Sequence, residues 1–240
     1  METTTISCLE EYISTVKDYH SMEGSIGMRT LFYRGQSDVN YKLLPSLGRR
    51  IRKELGSEGI YELYEEEIIR RVKLEYPELF RDTNTIDEMA LMQHYGVPTR
   101  LLDVTENPLV ALFFACRNNP KKNGEVFLFA EGTLMDIFTS YEEKELKENN
   151  RIAIVRAKKV SSRQRIQQGC FLWFPKEKTR GIKKNDPLIV ASIRIPAIAK
   201  ESLLDELRVL GISERRLFPD DMEKCCKELI ADITKDCFSA

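Results

Sequence analysis

Apolar residues recur every three or four positions along several stretches of the chain, a spacing that places side chains on one face of a helix. The predicted helices cover residues 7–19, 60–80, 86–94, 109–116, 197–210 and 220–233. Residues 109–116 differ from the others because they are almost wholly apolar, with Asn107 placed to cap the helix and Pro108 at its first position. We therefore expect this helix to lie at the centre of the core.

Shorter runs rich in β-branched and aromatic side chains predict strands. These runs are residues 30–34, 100–103, 125–130, 152–156, 169–174 and 188–195. After Glu125 the strands largely follow one another instead of alternating strictly with helices, which favours antiparallel or mixed pairing. The predicted fold class is α+β, with a mixed or mainly antiparallel sheet and flanking helices.

The length of 240 residues, with 42% hydrophobic residues, is enough for a substantial core, and no linker or internal repeat divides the chain. We predict a single domain over residues 1–240, with a core at about 30–217 and the terminal helices packed on it. The 37 basic residues almost cancel the 38 acidic ones, so the net charge of -1 gives no general attraction for nucleic acid. Any anion site must therefore be local.

The chain has no apolar run long enough to span a membrane and no secretory signal at Met1–Glu10, which predicts a cytoplasmic protein without a membrane partner. Its six cysteines include no CxxC pair and stand among apolar neighbours, a pattern typical of free buried thiols. With only two histidines, a metal site is not expected.

Two polar segments stand next to predicted strands. The first, residues 33–36, places the cation of Arg34 beside Gly35, where a ligand could lie against the backbone. The alternative is a strand-to-turn transition with a structural ion pair. The other, residues 165–171, brings Gln168 and Gly169 to the start of an aromatic strand, where a plain β-bulge is the alternative.

The densest polar segment is residues 93–105, which flank a short apolar strand with polar groups at both ends. The helix that follows offers unpaired N–H groups and a positive dipole end, both suited to an anion. Taken singly, His94 fits a hydrogen-bonded core histidine, Arg100 could pair with Asp103, and Thr105 could act as a cap. Together these residues indicate the wall of a site.

The three segments together resemble the FRG domain family, named for its Phe/Tyr-Arg-Gly motif. The resemblance extends over about residues 30–217. The matching motifs are FYRGQ at 32–36, LPSL at 44–47, QHYG at 93–96, PTRLLD at 98–103, NPL at 107–109, ALFFA at 111–115 and QGCF at 168–171.

A more distant similarity links this order of motifs to the Arg-Ser-Glu layout of ADP-ribosyltransferases and implies their fold. There, the arginine holds NAD and a late glutamate stabilises an oxocarbenium-like transition state. The catalytic residues implied by this similarity are Arg34, Asp103 and Gln168. The implied cofactor-binding residues are Tyr33, Gly35, Gln36, His94, Arg100 and Thr105. Gln168 supplies no negative charge where the family has Glu, so the charge is left to Asp103 or Glu106.

Two functions follow from these resemblances. The favoured one is an NAD-dependent ADP-ribosyltransferase, a bacterial effector in toxin action or phage defence, which consumes NAD and modifies a protein, RNA or DNA. Basic clusters in the second half of the chain keep nucleic acid open as the acceptor. An antitoxin or other regulatory partner would fit such an effector. The alternative is a non-catalytic module that senses a nucleotide or another anion in the same pocket.

Overall fold

The computed structural model describes residues 2–21, 30–54, 61–81, 83–132, 135–139, 142–158, 161–175 and 181–221. Eight strands form one mixed sheet in this part of the chain. The strands are β1 (Glu2–Thr5), β2 (Leu31–Gln36), β3 (Leu101–Thr105), β4 (Gly124–Ala130), β5 (Ile137–Thr139), β6 (Ala153–Arg156), β7 (Gly169–Trp173) and β8 (Ala191–Ile195).

The strands lie in the order β1-β8-β4-β2-β3-β7-β6-β5. The β1–β8 and β5–β6 pairs are parallel, and the other neighbours are antiparallel. The predicted α+β class with a mixed sheet and flanking helices is confirmed.

Helices flank this sheet. They are α1 (Leu9–Ser21), α2 (Ser46–Glu54), α3 (Tyr61–Glu75), α4 (Thr85–His94), α5 (Pro108–Cys116), α6 (Glu143–Asn149), α7 (Ser162–Ile166), α8 (Lys200–Val209) and α9 (Glu214–Leu217). Successive residues of β2 belong to different hydrophobic clusters, since strand side chains alternate between faces. Tyr33 packs in the cluster formed with α1, α5 and α8, whereas Phe32 packs in the cluster that contains Phe127 and Leu172.

Helix α5 lies directly on the sheet, as its apolar sequence predicted. The Asn107 side chain caps it by accepting hydrogen bonds from the N–H groups of Leu109 and Val110, at 3.0 and 3.3 Å. Gly35 allows the close approach, because a Cβ atom at that position would lie 1.8 Å from the carbonyl oxygen of Ala111. The glycine of the Arg-Gly pair is therefore required for packing of the helix against β2.

The sheet opens at its centre, between β2 and β3. Among the described residues, these strands are in register only where Tyr33 faces Thr105, whereas β2 pairs with β4 along its whole length. Beyond that contact, Arg34 extends from β2 and its Nη1 donates a hydrogen bond to the carbonyl oxygen of Asp103 on β3, at 2.5 Å. The Arg34 side chain thus links β2 to β3 where the two strands have no backbone pairing.

Several predicted boundaries were wrong. The helix predicted for 60–80 ends at Glu75, and a 3₁₀ turn at Pro77–Phe80 follows, because proline has no N–H to continue the helix. The strand predicted for 188–195 starts only at Ala191, since a turn at Asp186 engages the N–H groups of Leu188 and Ile189.

Two further boundaries differ from prediction, and a third predicted element is described only in part. Strand β2 continues through Gly35 to Gln36, although it was predicted to end at Arg34. The helix predicted for 197–210 begins as a 3₁₀ turn at Ala197–Ala199. Most of the helix predicted for 220–233 lies outside the described residues. Within the described ranges, no helix has both the length and the apolar content needed to cross a membrane.

Candidate ligand site

A cavity of about 240 Å³ lies where β2 and β3 separate. Its first wall is formed by the lining residues between positions 33 and 114: Tyr33, Arg34, Gly35, Ala90, Gln93, His94, Asp103, Val104, Thr105, Val110 and Phe114. Its second wall is formed by those between 161 and 171: Ser161, Arg163, Gln164, Gln167, Gly169, Cys170 and Phe171. Parts of all three polar segments identified in the sequence therefore meet in one cavity.

Arg34 supplies the permanent cation of the first wall. Besides the Nη1 bond to Asp103, its Nε is buried and has no hydrogen-bond partner in the part of the chain that the structure describes. Burial lowers the pKa of this guanidinium to about 10, with the Asp103 carboxylate opposing the shift and Arg49 adding to it. The group is still cationic at neutral pH, and its Nε donor is not used by any described residue.

The Asp103 carboxylate lines the same wall and is oriented by a short chain of hydrogen bonds. Gln93 Nε2 donates to Asp103 Oδ1 at 2.6 Å, and Thr99 Oγ1 donates to Gln93 Oε1 at 2.5 Å. Of the described residues that line the cavity, Asp103 alone carries a carboxylate, and this residue is exposed. The strand end thus presents a fixed negative charge close to the Arg34 cation.

Other first-wall residues are already bonded within the protein. Thr105 Oγ1 donates to the carbonyl oxygen of Gln167 at 2.6 Å and accepts from the N–H of Asn107 at 3.0 Å. The Tyr33 hydroxyl is hydrogen-bonded to His20 Nε2 at 2.9 Å. His94 lines the cavity, with its ring edge-on to that of Tyr95. Thr105 and Tyr33 therefore contribute mainly to the shape of the wall.

Arg100 lies away from the cavity lining. Its Nε donates to Glu65 Oε1 at 2.8 Å, a second ion pair joins Nη2 to Oε2, and both side chains are almost fully buried. The guanidinium carbon also lies 5.2 Å from the ring centroid of Trp173. This arginine ties α3 to the sheet, where the sequence had predicted a cofactor contact.

Three more of the predicted polar residues are outside the lining. Gln36 is buried, and its Nε2 donates to the carbonyl oxygen of Lys42 at 3.4 Å. Gln168 has a positive φ of 48° and an exposed side chain. Glu106 pairs with Arg156 at 2.7 Å. The late amides that reach the cavity are instead those of Gln164 and Gln167.

Sequence reasoning missed the short helix α7, which contributes Arg163 and Gln164 to the second wall. Only five residues long, it shows no apolar periodicity. The available signal was Ser161 followed by Gln164, the spacing of a capping box. Ser161 Oγ does accept from the N–H of Gln164, at 3.1 Å. A search for helix caps rather than hydrophobic stripes would have predicted a helix start here.

No group of three or more metal-binding side chains occurs within the described ranges. Cys116 and Cys170 are buried free thiols, and Cys8 is a partly exposed one. Burial raises the pKa of the Cys116 thiol to about 12, so it is protonated at neutral pH.

Comparison with known proteins gives one family. The family model described as the FRG domain matches residues 29–124, a segment that includes β2, β3 and α5. The first wall falls inside this segment, and the second wall falls after it. No curated protein and no solved structure shows significant similarity to the chain.

Proposed function

We propose that the cavity between β2 and β3, whose first wall lies in the segment that identifies the FRG domain, residues 29–124, binds an anionic nucleotide. The observation that supports this most strongly is Arg34, a cation that lines the cavity and keeps a buried Nε without a protein partner in the described structure. A buried donor left unpaired costs free energy, about 1–3 kcal/mol, which a ligand oxygen would recover. Guanidinium groups suit phosphate because they offer several donors in one plane.

The remaining lining is suited to the uncharged parts of such a ligand. The amide side chains of Gln164 and Gln167 lie on the second wall, and Val110 and Phe114 add apolar surface. The volume of about 240 Å³ is below the roughly 300–1,000 Å³ typical of sites that enclose a whole drug-sized ligand. We therefore expect the cavity to hold one part of the nucleotide, with the rest extending over its opening.

A second candidate function is ADP-ribosyl transfer from NAD to a macromolecular acceptor, and the Asp103 carboxylate favours it. In that reaction the bond between the ribose C1′ and the nicotinamide nitrogen breaks, and a nucleophilic atom of the acceptor bonds to C1′ while losing its proton to solvent. Positive charge develops on the ribose, and a fixed carboxylate stabilises it. Asp103 would have this role, since Gln168 does not line the cavity.

This second candidate includes NAD as substrate, a fold like that of ADP-ribosyltransferases, and a protein, RNA or DNA acceptor. An effector role in toxin action or phage defence, restrained by an antitoxin or another regulatory partner, would be consistent with it. We place it after binding alone because the cavity lining offers a single carboxylate, which already accepts a hydrogen bond from Gln93.

Calorimetric titration with NAD, ADP-ribose and ADP tests the binding proposal. Arg34→Lys keeps the charge but loses the Nε donor, so we expect its dissociation constants to rise about tenfold, the effect of one lost bond to a charged group. Arg194→Lys is the matched control, because Arg194 is an exposed strand arginine outside the cavity lining. The proposal fails if wild type binds none of these ligands, or if both variants bind them as wild type does.

The release of nicotinamide from NAD separates the two candidates. If the protein is a transferase, Asp103→Asn should bind NAD within a few-fold of wild type but turn it over about 100-fold or more slowly. Ligand binding by wild type without nicotinamide release, in the presence of protein, RNA and DNA acceptors, would support the binding module and exclude transfer to those acceptors.

A further inference from the structure

A buried phenylalanine beyond the second wall is shared by two arginines. The guanidinium carbons of Arg117 and Arg163 each lie 4.4 Å from the ring centroid of Phe218. Phe218 is only 1% exposed. Stacking on an aromatic face orients a guanidinium while leaving the donors along its edge available for a ligand.

The two arginines differ in how their charges are compensated. Arg117 forms an ion pair with Glu214. For Arg163, in contrast, no hydrogen bond or ion pair of the side chain is found within the described ranges, and it lines the cavity. Burial lowers the pKa of Arg117, the Glu214 carboxylate opposes that shift, and the charge of Arg163 adds to it. Like charges held this close repel each other, so an anion beside Arg163 would be stabilising.

The second wall is also held in place by the chain segment around Phe218. Gln167 Nε2 donates to the carbonyl oxygen of Leu217 at 2.8 Å. Ser162 Oγ is hydrogen-bonded to Asp220 Oδ1 at 3.0 Å. The segment thus holds both ends of α7, so the position of Arg163 is set by the fold.

We propose that Arg163 forms a second anion subsite of the cavity and binds a phosphate group of the ligand, with Phe218 as the positioning residue. This inference rests on the proposed nucleotide binding and narrows it. Two arginines that line the same cavity fit a nucleotide whose phosphates reach α7, such as a nucleoside diphosphate or a dinucleotide. A nucleoside without phosphate would gain nothing from this subsite.

The test compares ADP with adenosine by calorimetric titration of wild type and Arg163→Gln. We expect the variant to weaken ADP binding about tenfold or more, the effect of losing a charged hydrogen-bond partner, and adenosine binding by less than about twofold. Arg165→Gln is the matched control, because Arg165 is an exposed arginine of the same helix and does not line the cavity. The subsite is contradicted if wild type and Arg163→Gln bind ADP equally well.

Inorganic pyrophosphate separates this inference from the proposed function. It should raise the unfolding temperature of wild type and of Arg165→Gln, and should raise that of Arg163→Gln clearly less. If no nucleotide binds while this protection still depends on Arg163, the subsite stands and the nucleotide proposal falls. If nucleotides bind and neither ADP affinity nor pyrophosphate protection depends on Arg163, the nucleotide proposal stands and the subsite falls.

Phe218 variants test the positioning role. Phe218→Leu removes the ring and should lower ADP affinity severalfold without changing adenosine affinity, whereas Phe218→Tyr should restore ADP affinity to near that of wild type. Titrations are made below the unfolding temperature of each variant, so that a loss of stability does not imitate a loss of affinity. Equal weakening of ADP and adenosine by Phe218→Leu would contradict the positioning role.

Discussion

The two walls of the cavity are built on different principles. In the first wall, most polar groups bond to one another or to backbone, as in the hydrogen bonds from Gln93 to Asp103 and from Thr105 to the Gln167 carbonyl. In the second wall, Arg163 presents a charge without a counterion in the described structure, and its position depends on Phe218. The first wall thus keeps one unpaired donor, the buried Arg34 Nε, among groups that are mostly bonded, whereas the second wall presents the whole Arg163 cation.

This difference indicates how the family motif and the ligand are related. The first wall lies within the segment that matches the FRG family model, and the second wall follows it. Gly35 of the motif is needed for helix packing, and Thr105, two residues after the PTRLLD motif, joins β3 to the loop before β7. We infer that the motif builds the first wall and supplies the Arg34 cation, while α7 adds Arg163 as a second cation.

The largest expected loss of stability comes from replacing Arg100, which lies in the PTRLLD motif at 98–103. Arg100→Met leaves the buried Glu65 carboxylate without its partner, which should lower the free energy of unfolding by about 3–5 kcal/mol. Urea denaturation measures this loss. The double variant Glu65→Leu with Arg100→Met removes both charges and should recover much of the stability. A single variant as stable as wild type would contradict the scaffold role of this pair.

Replacing glycine by alanine should cost less stability, and the cost should differ between Gly35 of the first wall and Gly169 of the second. Gly35→Ala forces a Cβ against the Ala111 carbonyl and should cost about 3 kcal/mol, since α5 must move off β2. Gly169→Ala places its Cβ 3.5 Å from the Gln164 side chain, an ordinary contact. It should cost less than about 1 kcal/mol. Thermal unfolding of both variants, side by side, tests the pair, and equal losses would remove the contrast.

Much of the fold could be predicted from the sequence because its signals are local. The apolar run after Asn107 and Pro108 specifies a capped, buried helix, and the strands around it have the expected composition. The short elements β5 and α9 were missed because a few residues carry too little periodicity to identify an element.

The site was harder to predict because side-chain direction depends on tertiary structure. The meeting of Arg34 with Asp103 follows from two strand ends that lie side by side. Arg100 looked equally polar in the sequence, but its partner Glu65 lies 35 positions earlier, on a separate helix. Gln168 adopts a left-handed turn conformation, and the neighbouring Gln167 lines the cavity instead. No local pattern distinguishes these cases.

The most direct test of the account is a two-dimensional amide NMR titration of the isotopically labelled protein with ADP. We predict chemical-shift changes on both walls of the cavity, at Arg34 and Gly35 on the first and from Ser161 to Gln167 on the second, with β1 unaffected. Shift changes confined to one wall, or located on β1 and β8 at the far edge of the sheet, would contradict a nucleotide bound between the two walls.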